Sequence, residues 1–160
     1  MNREILFKAK RLDNGEWIEG YYIYHIRRTI CPIGDSVKPE DEQHVIMQDD
    51  FSDWNMPRGT LVYEIDPDTL CQYTGLTDKN GKRIWENDIL CGRLDEKYPE
   101  NIAYKKVVWD MNGFYTKEEY LTDLDPLDEF DAEWFEVCGN IFDNADLFEK
   151  DEQMSIEDFI

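Results

Sequence analysis

Three tight-turn signals divide this chain into short segments and constrain its fold more than any other feature. Asp13-Asn14-Gly15, Asp78-Lys79-Asn80-Gly81 and Asp110-Met111-Asn112-Gly113 each end in Asn-Gly, a pair that tolerates the positive φ angles of hairpin turns. The segments beside these turns are rich in aromatic and β-branched residues, and apolar side chains alternate with others over residues 5–9. The pattern predicts β-hairpins.

The spacing of these turns predicts a mainly β fold, a β-rich α+β chain with little helix. We expect an N-terminal β lobe over residues 1–69 that begins with a hairpin. Residues 31–60 within this lobe are interpreted as an irregular insertion, because prolines and glycines interrupt them repeatedly. In this insertion only residues 44–47 have the composition of a short strand.

A second lobe is predicted over residues 70–149, where short strands at close spacing favour a small barrel or a sandwich. The best helix candidate is the segment 144–149, with Asp143 or the following asparagine as its cap. Residues 150–160 are interpreted as an exposed acidic tail.

Charge limits the partners that this chain can bind. It has 17 Lys and Arg against 37 Asp and Glu, a formal net charge of −20, and residues 118–160 contain only one base, Lys150. This balance argues against binding to a nucleic-acid backbone or to an anionic membrane, because both require clustered basic residues. Aromatic residues make up 14% of the chain, which indicates a folded protein despite the charge.

The sequence also predicts the cellular compartment of the protein and the oxidation state of its cysteines. The sequence has neither a stretch of 18 apolar residues nor the apolar core of a signal peptide near its first residue, so we expect a cytoplasmic protein that does not contact membranes. The four cysteines contain no Cys-x-x-Cys pair, and we expect free thiols that are mostly buried as small hydrophobic groups; they are Cys31, Cys71, Cys91 and Cys138.

One segment is recognisable. Residues 70–89 read LCQYTGLTDKNGKRIWENDI, which closely resembles the central motif of the YopX family of phage and prophage proteins. REILFKA at residues 3–9 and VCGNIFDN at residues 137–144 resemble the opening and closing motifs of that family, in the expected order. The residues that carry the motif are Thr74, Gly75, Asp78, Asn80, Gly81, Ile84, Glu86, Asp88, Gly139 and Asn140.

The resemblance implies a small SH3-like β-barrel in the C-terminal lobe and an origin in a bacteriophage or prophage. It implies no catalytic residue and no cofactor, because the family is functionally uncharacterised. Asn87 stands where the family has glycine, and asparagine still tolerates the left-handed φ of that position. Trp85 and Cys138 replace the family's tyrosine and isoleucine.

Two groups of carboxylates are candidates for ion binding. Glu86 and Asp88 are two residues apart after a strand, so both carboxylates could bind a divalent cation or act as acid and base. Since turn residues dominate this motif, capping of a turn by these carboxylates is the favoured interpretation. A second, acid-dense segment is interpreted as a solvated loop and a candidate interaction surface, formed by Asp123, Asp125, Asp128, Glu129, Asp131 and Glu133.

The remaining groups of His, Cys, Trp, Lys and Arg residues are weaker candidates for a binding site. His25, Cys31, His44 and Cys71 match no zinc-ligand spacing, so no metal site is expected from them. The five tryptophans are interpreted as core or sheet-face residues rather than as platforms for bases. Three basic pairs could contact phosphate, but the surrounding negative field opposes such contacts; they are Arg27-Arg28, Lys82-Arg83 and Lys105-Lys106.

Four functional hypotheses remain open, and one of them, direct nucleic-acid binding by the SH3-like barrel through the basic pairs, is less favoured than mimicry because of the charge. The first is a non-enzymatic accessory protein that binds a host or phage protein, or a second copy of itself, through an edge strand or an aromatic face. The second is an acidic mimic of nucleic acid that blocks a host DNA-binding or defence protein, because cationic grooves accept carboxylates as they accept phosphates. The third and weakest is a metal-dependent enzyme that uses Glu86 and Asp88.

Overall fold

The computed structural model describes residues 2–93, 97 and 100–148, so the predicted acidic tail at residues 150–160 lies outside the described residues. Within the described chain the fold is mainly β, as predicted. The strands are β1 Phe7–Lys10, β2 Trp17–Ile26, β3 Glu42–Asp49, β4 Thr60–Glu64, β5 Cys71–Thr77, β6 Arg83–Trp85, β7 Asp88–Arg93, β8 Ile102–Asp110, β9 Gly113–Glu118, β10 Leu124–Pro126 and β11 Glu136–Asn140. The α-helix α1 spans Glu129–Trp134, and 3-10 turns span Pro39–Asp41 and Pro67–Thr69.

The chain divides into two compact units. The first, Glu4–Gln72, contains an antiparallel sheet in the order β4-β3-β2-β1, and the first residues of β5 pair with β1. An isolated antiparallel bridge joins Arg11 to Ile65. The core of this unit is built from one face of the sheet, where the side chains alternate inward as the period of a strand requires; its buried members are Ala9, Ile18, Ile46 and Ile65.

Part of the predicted insertion is regular. β3 extends the strand predicted at residues 44–47 by two residues at each end and lies between β2 and β4. Before β3, Arg28 holds the loop that leads into the strand. Its guanidinium donates two hydrogen bonds of 2.8 and 2.9 Å to Asp41 and one of 2.7 Å to Asp35. These contacts lower the pKa of Asp35 to about 2 and lower the pKa of Asp41 as well.

These lowered pKa values predict a pH-dependent effect of Arg28→Gln. Both carboxyls have a folded-state pKa below the unfolded value, which for aspartate is about 3.9. Their stabilisation is therefore present above that value and is lost as the pH falls through the folded-state pKa. We expect Arg28→Gln to melt below the wild type at pH 7, with a gap that closes between about pH 4 and pH 2. Arg58→Gln, at the exposed 3.7 Å pair with Asp49, is the control and should show no such gap; a gap for Arg28→Gln that stays constant with pH would contradict the assignment.

The second unit contains the described residues from Tyr73 onward, together with the start of the chain. Its sheet has the order β10-β9-β8-β7-β11, and β5 pairs with β6. The described strands leave two edges, so the SH3-like barrel that the resemblance implies is not confirmed. The core of this unit is a cluster of four buried side chains, Ile84, Leu90, Val107 and Phe135. Phe135 is the residue that follows α1.

Helix is scarce, as predicted, but the longest described helix, α1, lies outside the predicted segment 144–149. Residues 146–148 are helical, within the predicted segment 144–149. However, α1 occupies residues for which a solvated loop was predicted, and β11 follows it directly from Glu136. No described helix has the length and apolar character needed to cross a membrane.

Candidate functional site

Asp78 organises the central turn of the recognised motif. Its Oδ1 accepts hydrogen bonds of 2.9 Å from the backbone N–H groups of Asn80 and Lys82. Its Oδ2 accepts a third, also of 2.9 Å, from the N–H of Val137 in β11. The Asp78 residue is only 5% exposed, so its charge is compensated by backbone donors rather than by water.

The same turn covers the outer edge of β11. The N–H of Lys79 donates to the carbonyl of Phe135, and the Asn80 amide donates to the Glu136 carboxylate at 3.0 Å. The turn reverses through Gly81 at a φ of 81°, which glycine adopts without steric cost. Asp78, Asn80 and Gly81 therefore build a clamp on an edge strand.

Asp88, one of the two acids considered for ion binding, lies buried against the backbone of its own turn. Asp88 is 1% exposed, and its Oδ2 accepts a hydrogen bond of 2.8 Å from the N–H of Trp85. Asn87, between the two acids, adopts a φ of 70°, the left-handed conformation expected where the family has glycine. Among the described residues no group of three or more His, Cys, Asp or Glu side chains is arranged to hold a metal ion.

The other motif residues also support the backbone. Thr74 donates through its hydroxyl to the carbonyl of Ile84 at 2.7 Å, and Gly75 has a φ of 91°. The Asn140 side chain accepts hydrogen bonds of 2.9 Å from two backbone N–H groups of the turn after β11. Gly139 is required by space, because a Cβ there would lie 2.5 Å from the Asn144 side-chain oxygen. These motif residues therefore stabilise turns and allow close approach of the backbone.

The acid-dense segment is not the uniform solvated loop that was predicted. Asp128 caps α1 by accepting a hydrogen bond from the N–H of Asp131, and Asp131 reciprocates as the second half of a capping box. Asp131 is 2% exposed, and its carboxylate lies 2.9 Å from the ammonium group of Lys105. The prediction was therefore wrong for Asp131, whose negative charge is buried and paired. Asp123 and Asp125 are exposed, as predicted.

The basic pairs differ in their accessibility. Lys105 is buried, with its ammonium group 4.5 Å from the centre of the Phe135 ring, so it is not available to a phosphate. Arg27 pairs with Glu64, and Arg28 is held by Asp35 and Asp41. The Arg83 guanidinium lies 5.4 Å from the centre of the Tyr73 ring, so each of the three predicted basic pairs has at least one cation in contact with the protein itself.

The exposed side of α1 is the most distinctive surface of the described chain. Phe130 and Trp134 are 52% and 53% exposed, and their rings stack with centres 6.0 Å apart. Glu129 and Glu133 flank them, because residues four apart share a face of a helix. We call these four side chains the α1 surface. Sequence reasoning missed it, although the Asp128-x-x-Asp131 capping box and the i, i+4 aromatic pair were the available signals.

A cavity of about 440 Å³ adjoins the α1 surface. It is open and carries both signs of charge, and it is lined by Lys79, Cys91, Gly92, Arg93, Ile102, Glu133, Trp134 and Glu136. One of the lining residues, Gly92, packs closely against Phe135: a Cβ at position 92 would lie 2.9 Å from the Phe135 ring. This arrangement suits contact with a protein side chain better than a buried small molecule, because aromatic and charged groups surround an open space.

The cysteines and histidines do not assemble into a site. All four cysteines are free, as expected, but only Cys71 is fully buried, and Cys31 is exposed. His44 is hydrogen-bonded to the Tyr22 hydroxyl and His25 to Gln43, so neither forms a zinc site with a thiol. Burial and a hydrogen bond with Cys91 raise the pKa of the Cys138 thiol to about 12.

These environments predict an order of thiol alkylation. With iodoacetamide at pH 8 and without denaturant, Cys31 should react first because it is exposed. Cys138 should react at least tenfold more slowly, since a thiol whose pKa is about 12 contains almost no thiolate at that pH. Mass spectrometry of peptides taken over time measures both rates, and unfolding in guanidinium should equalise them. Equal rates in the folded protein would contradict the assigned environments.

Comparison with known proteins finds a matching family and a solved structure of similar fold. The family model described as YopX protein matches residues 6–149. The crystal structure of protein EF1440 from Enterococcus faecalis is similar in fold, with a TM-score of 0.51 and 22% sequence identity over 92% of this chain and 100% of that chain. No curated protein matches the sequence.

Proposed function

Since the chain belongs to the YopX protein family, we propose that it is a phage- or prophage-encoded accessory protein that binds another protein in the host cytoplasm and catalyses no reaction. The α1 surface is the observation that carries this proposal. It presents two half-exposed aromatic rings between two carboxylates, whereas the motif residues Asp78 and Asp88 accept hydrogen bonds from backbone N–H groups. Aromatic side chains are enriched at protein interfaces, and adjoining exposed apolar side chains often mark an interaction site.

The α1 surface is pre-organised for binding. The capping box fixes the start of α1, and the 2.9 Å pair between Lys105 and Asp131 ties the helix to β8. The aromatic rings therefore do not have to be ordered when a partner arrives, which lowers the entropic cost of association. The surrounding carboxylates favour a partner with a basic surface, because complementary charge accelerates encounter. A host or phage protein with a cationic, partly apolar patch fits this chemistry.

A mimic of nucleic acid is the second candidate. The observation that favours it is the exposure of five carboxylates within eleven residues, namely Asp123, Asp125, Asp128, Glu129 and Glu133. A mimic would bind through charge alone, and a DNA duplex would compete with it. The aromatic pair favours the protein-binding module, because a phosphate backbone offers no counterpart to two apolar rings. The SH3-like barrel, a homo-oligomeric state and a metal-dependent activity of Glu86 and Asp88 remain weaker proposals.

Affinity capture from a bacterial host lysate separates the two candidates. Wild-type protein, Trp134→Ser and the pair Asp123→Asn/Asp125→Asn are immobilised, and retained proteins are identified by mass spectrometry. Trp54→Ser is the matched control, because Trp54 is 95% exposed in the other unit. We expect a protein that wild type and Trp54→Ser retain and that Trp134→Ser loses, with DNA failing to displace it. Retention that DNA or the double aspartate variant abolishes, but Trp134→Ser does not, would favour the mimic; retention by all variants would refute both.

A further inference from the structure

The edge strand β4 presents unpaired backbone groups. It pairs with β3 on one side only, in a register that sets Ile46 opposite Tyr63. Two bonds in the same register fix the direction of the groups: the N–H of Ile65 donates to His44 at 3.1 Å, and the carbonyl of Gly59 accepts from Asp50 at 2.8 Å. Odd-numbered residues therefore bond to β3, and the N–H and C=O groups of even-numbered residues point away from it.

The outward positions are occupied only at the end of the strand. The carbonyl of Glu64 accepts from the N–H of Leu12, and the N–H of Asp66 donates to the carbonyl of Lys10. The outward N–H and C=O groups of Thr60 and Val62 take no partner from the residues that the structure describes. A short unpaired stretch of edge strand thus ends where the segment after β1 begins.

A cavity lies beside this stretch. Its volume is about 350 Å³, and it is lined by Leu12, Asp13, Val62, Tyr63 and Glu64. Leu12 and Val62 are 61% and 56% exposed, so the cavity offers apolar surface to an incoming side chain. Strand addition requires this combination, in which backbone groups supply affinity and an adjoining cavity selects a side chain.

Two further observations indicate which kind of segment would bind beside β4. The Arg11 guanidinium lies over the Tyr63 ring at 4.2 Å, yet its Nε is buried and has no hydrogen-bond acceptor. A buried donor without an acceptor is rare in native proteins, so an unsatisfied polar group lies beside Tyr63, which lines this cavity. Asp13 and Glu64 line the cavity, but they are paired with Arg11 and Arg27, so the charge argument rests on the unit Glu4–Gln72. This unit has seven basic and fourteen acidic side chains. Charge therefore favours a cationic segment.

Of the other described sheet edges, those at β11 and β10 are protected, whereas β4 is not. The turn at residues 78–82 covers β11, and β10 ends at Pro126, which has no N–H to donate. β4 contains neither proline nor lysine, the residues that usually prevent edge pairing.

We propose that β4 is a strand-addition site for an extended, cationic segment of a partner protein. The backbone of that segment pairs with Thr60 and Val62, and one of its apolar side chains enters the cavity beside Leu12. This site is separate from the α1 surface and does not depend on it.

The probe is the peptide acetyl-KVKVKVK-amide, which combines an extended tendency with positive charge and alternate apolar side chains. Binding to the full chain is measured by titration calorimetry and by hydrogen exchange of the Thr60 and Val62 amides. Val62→Pro removes an outward N–H but no bond to β3, so it should weaken binding about tenfold or more while the melting temperature stays close to that of wild type. Thr60→Pro is the second variant if Val62→Pro does not fold, and Leu12→Ala tests the cavity.

Support requires binding that protects both amides, that Val62→Pro weakens and that Trp134→Ser leaves unchanged. Three results would overturn the proposal. The first is no binding of the peptide at millimolar concentration, and the second is equal affinity for Val62→Pro and the wild type. The third is a wild-type dimer in sedimentation that Val62→Pro converts to a monomer, because a second copy of the chain would then occupy the edge.

Discussion

Asp131→Asn should lower the free energy of unfolding by about 3–5 kcal/mol, the largest effect that we expect from a single substitution. The side chains of Lys105 and Asp131 are only 10% and 3% exposed, so their 2.9 Å pair is screened little by water. Asparagine keeps the shape of the residue but leaves the Lys105 ammonium group without its closest anion; Glu118 lies at 3.9 Å. Chemical denaturation followed by tryptophan fluorescence measures the change.

A double variant distinguishes charge from shape. Lys105→Met/Asp131→Leu removes both charges and keeps apolar volume, so it should be much more stable than Asp131→Asn, because no unpaired ion remains buried. It also removes the capping contact of Asp131, so a residual loss of about 1 kcal/mol is expected. If the double variant were as unstable as Asp131→Asn, the cost would come from packing and capping rather than from the ion pair.

Asp78→Ala should cost about 3 kcal/mol, because three backbone N–H groups lose one carboxylate acceptor. Two of these donors, the N–H groups of Asn80 and Lys82, lie in the turn and can form hydrogen bonds with water instead. The third, on Val137, belongs to β11, so its amide should exchange hydrogen faster in the variant. Asp66→Ala is the matched control: the Asp66 side chain accepts one backbone N–H bond in a turn, and its loss should cost about 1 kcal/mol. Equal costs for the two variants would contradict the clamp.

The hairpins were predictable because their information is local. Asn-Gly at residues 80–81 determines a turn from its own φ preferences, and the strands beside it follow from alternating side chains. The left-handed conformation of Asn87 was likewise predictable from the residue type. The amino-acid sequence alone was therefore sufficient to interpret the motif as turn chemistry.

The α1 surface and the buried Asp131 were not predictable in the same way. Six residues give fewer than two helical turns, which is too short for a 3.6-residue period to stand out from a loop. The burial of Asp131 depends on Lys105, which is 26 residues away in the sequence. Likewise, the unpaired edge of β4 becomes visible only once the register with β3 is known. Each feature depends on pairing between distant residues, which composition does not encode.

The shortness of α1 couples any partner to the folding equilibrium. A helix of six residues does not persist alone, since isolated helices need about 12–15 residues to be even marginal in water. Phe130 and Trp134 therefore stack on one face only while the surrounding unit is folded. By mass action, a partner present at about 100 times its dissociation constant adds about 2.7 kcal/mol to the stability of that unit. A partner of the α1 surface would then rescue much of the loss in Asp131→Asn, and the melting temperature would report occupancy without any label.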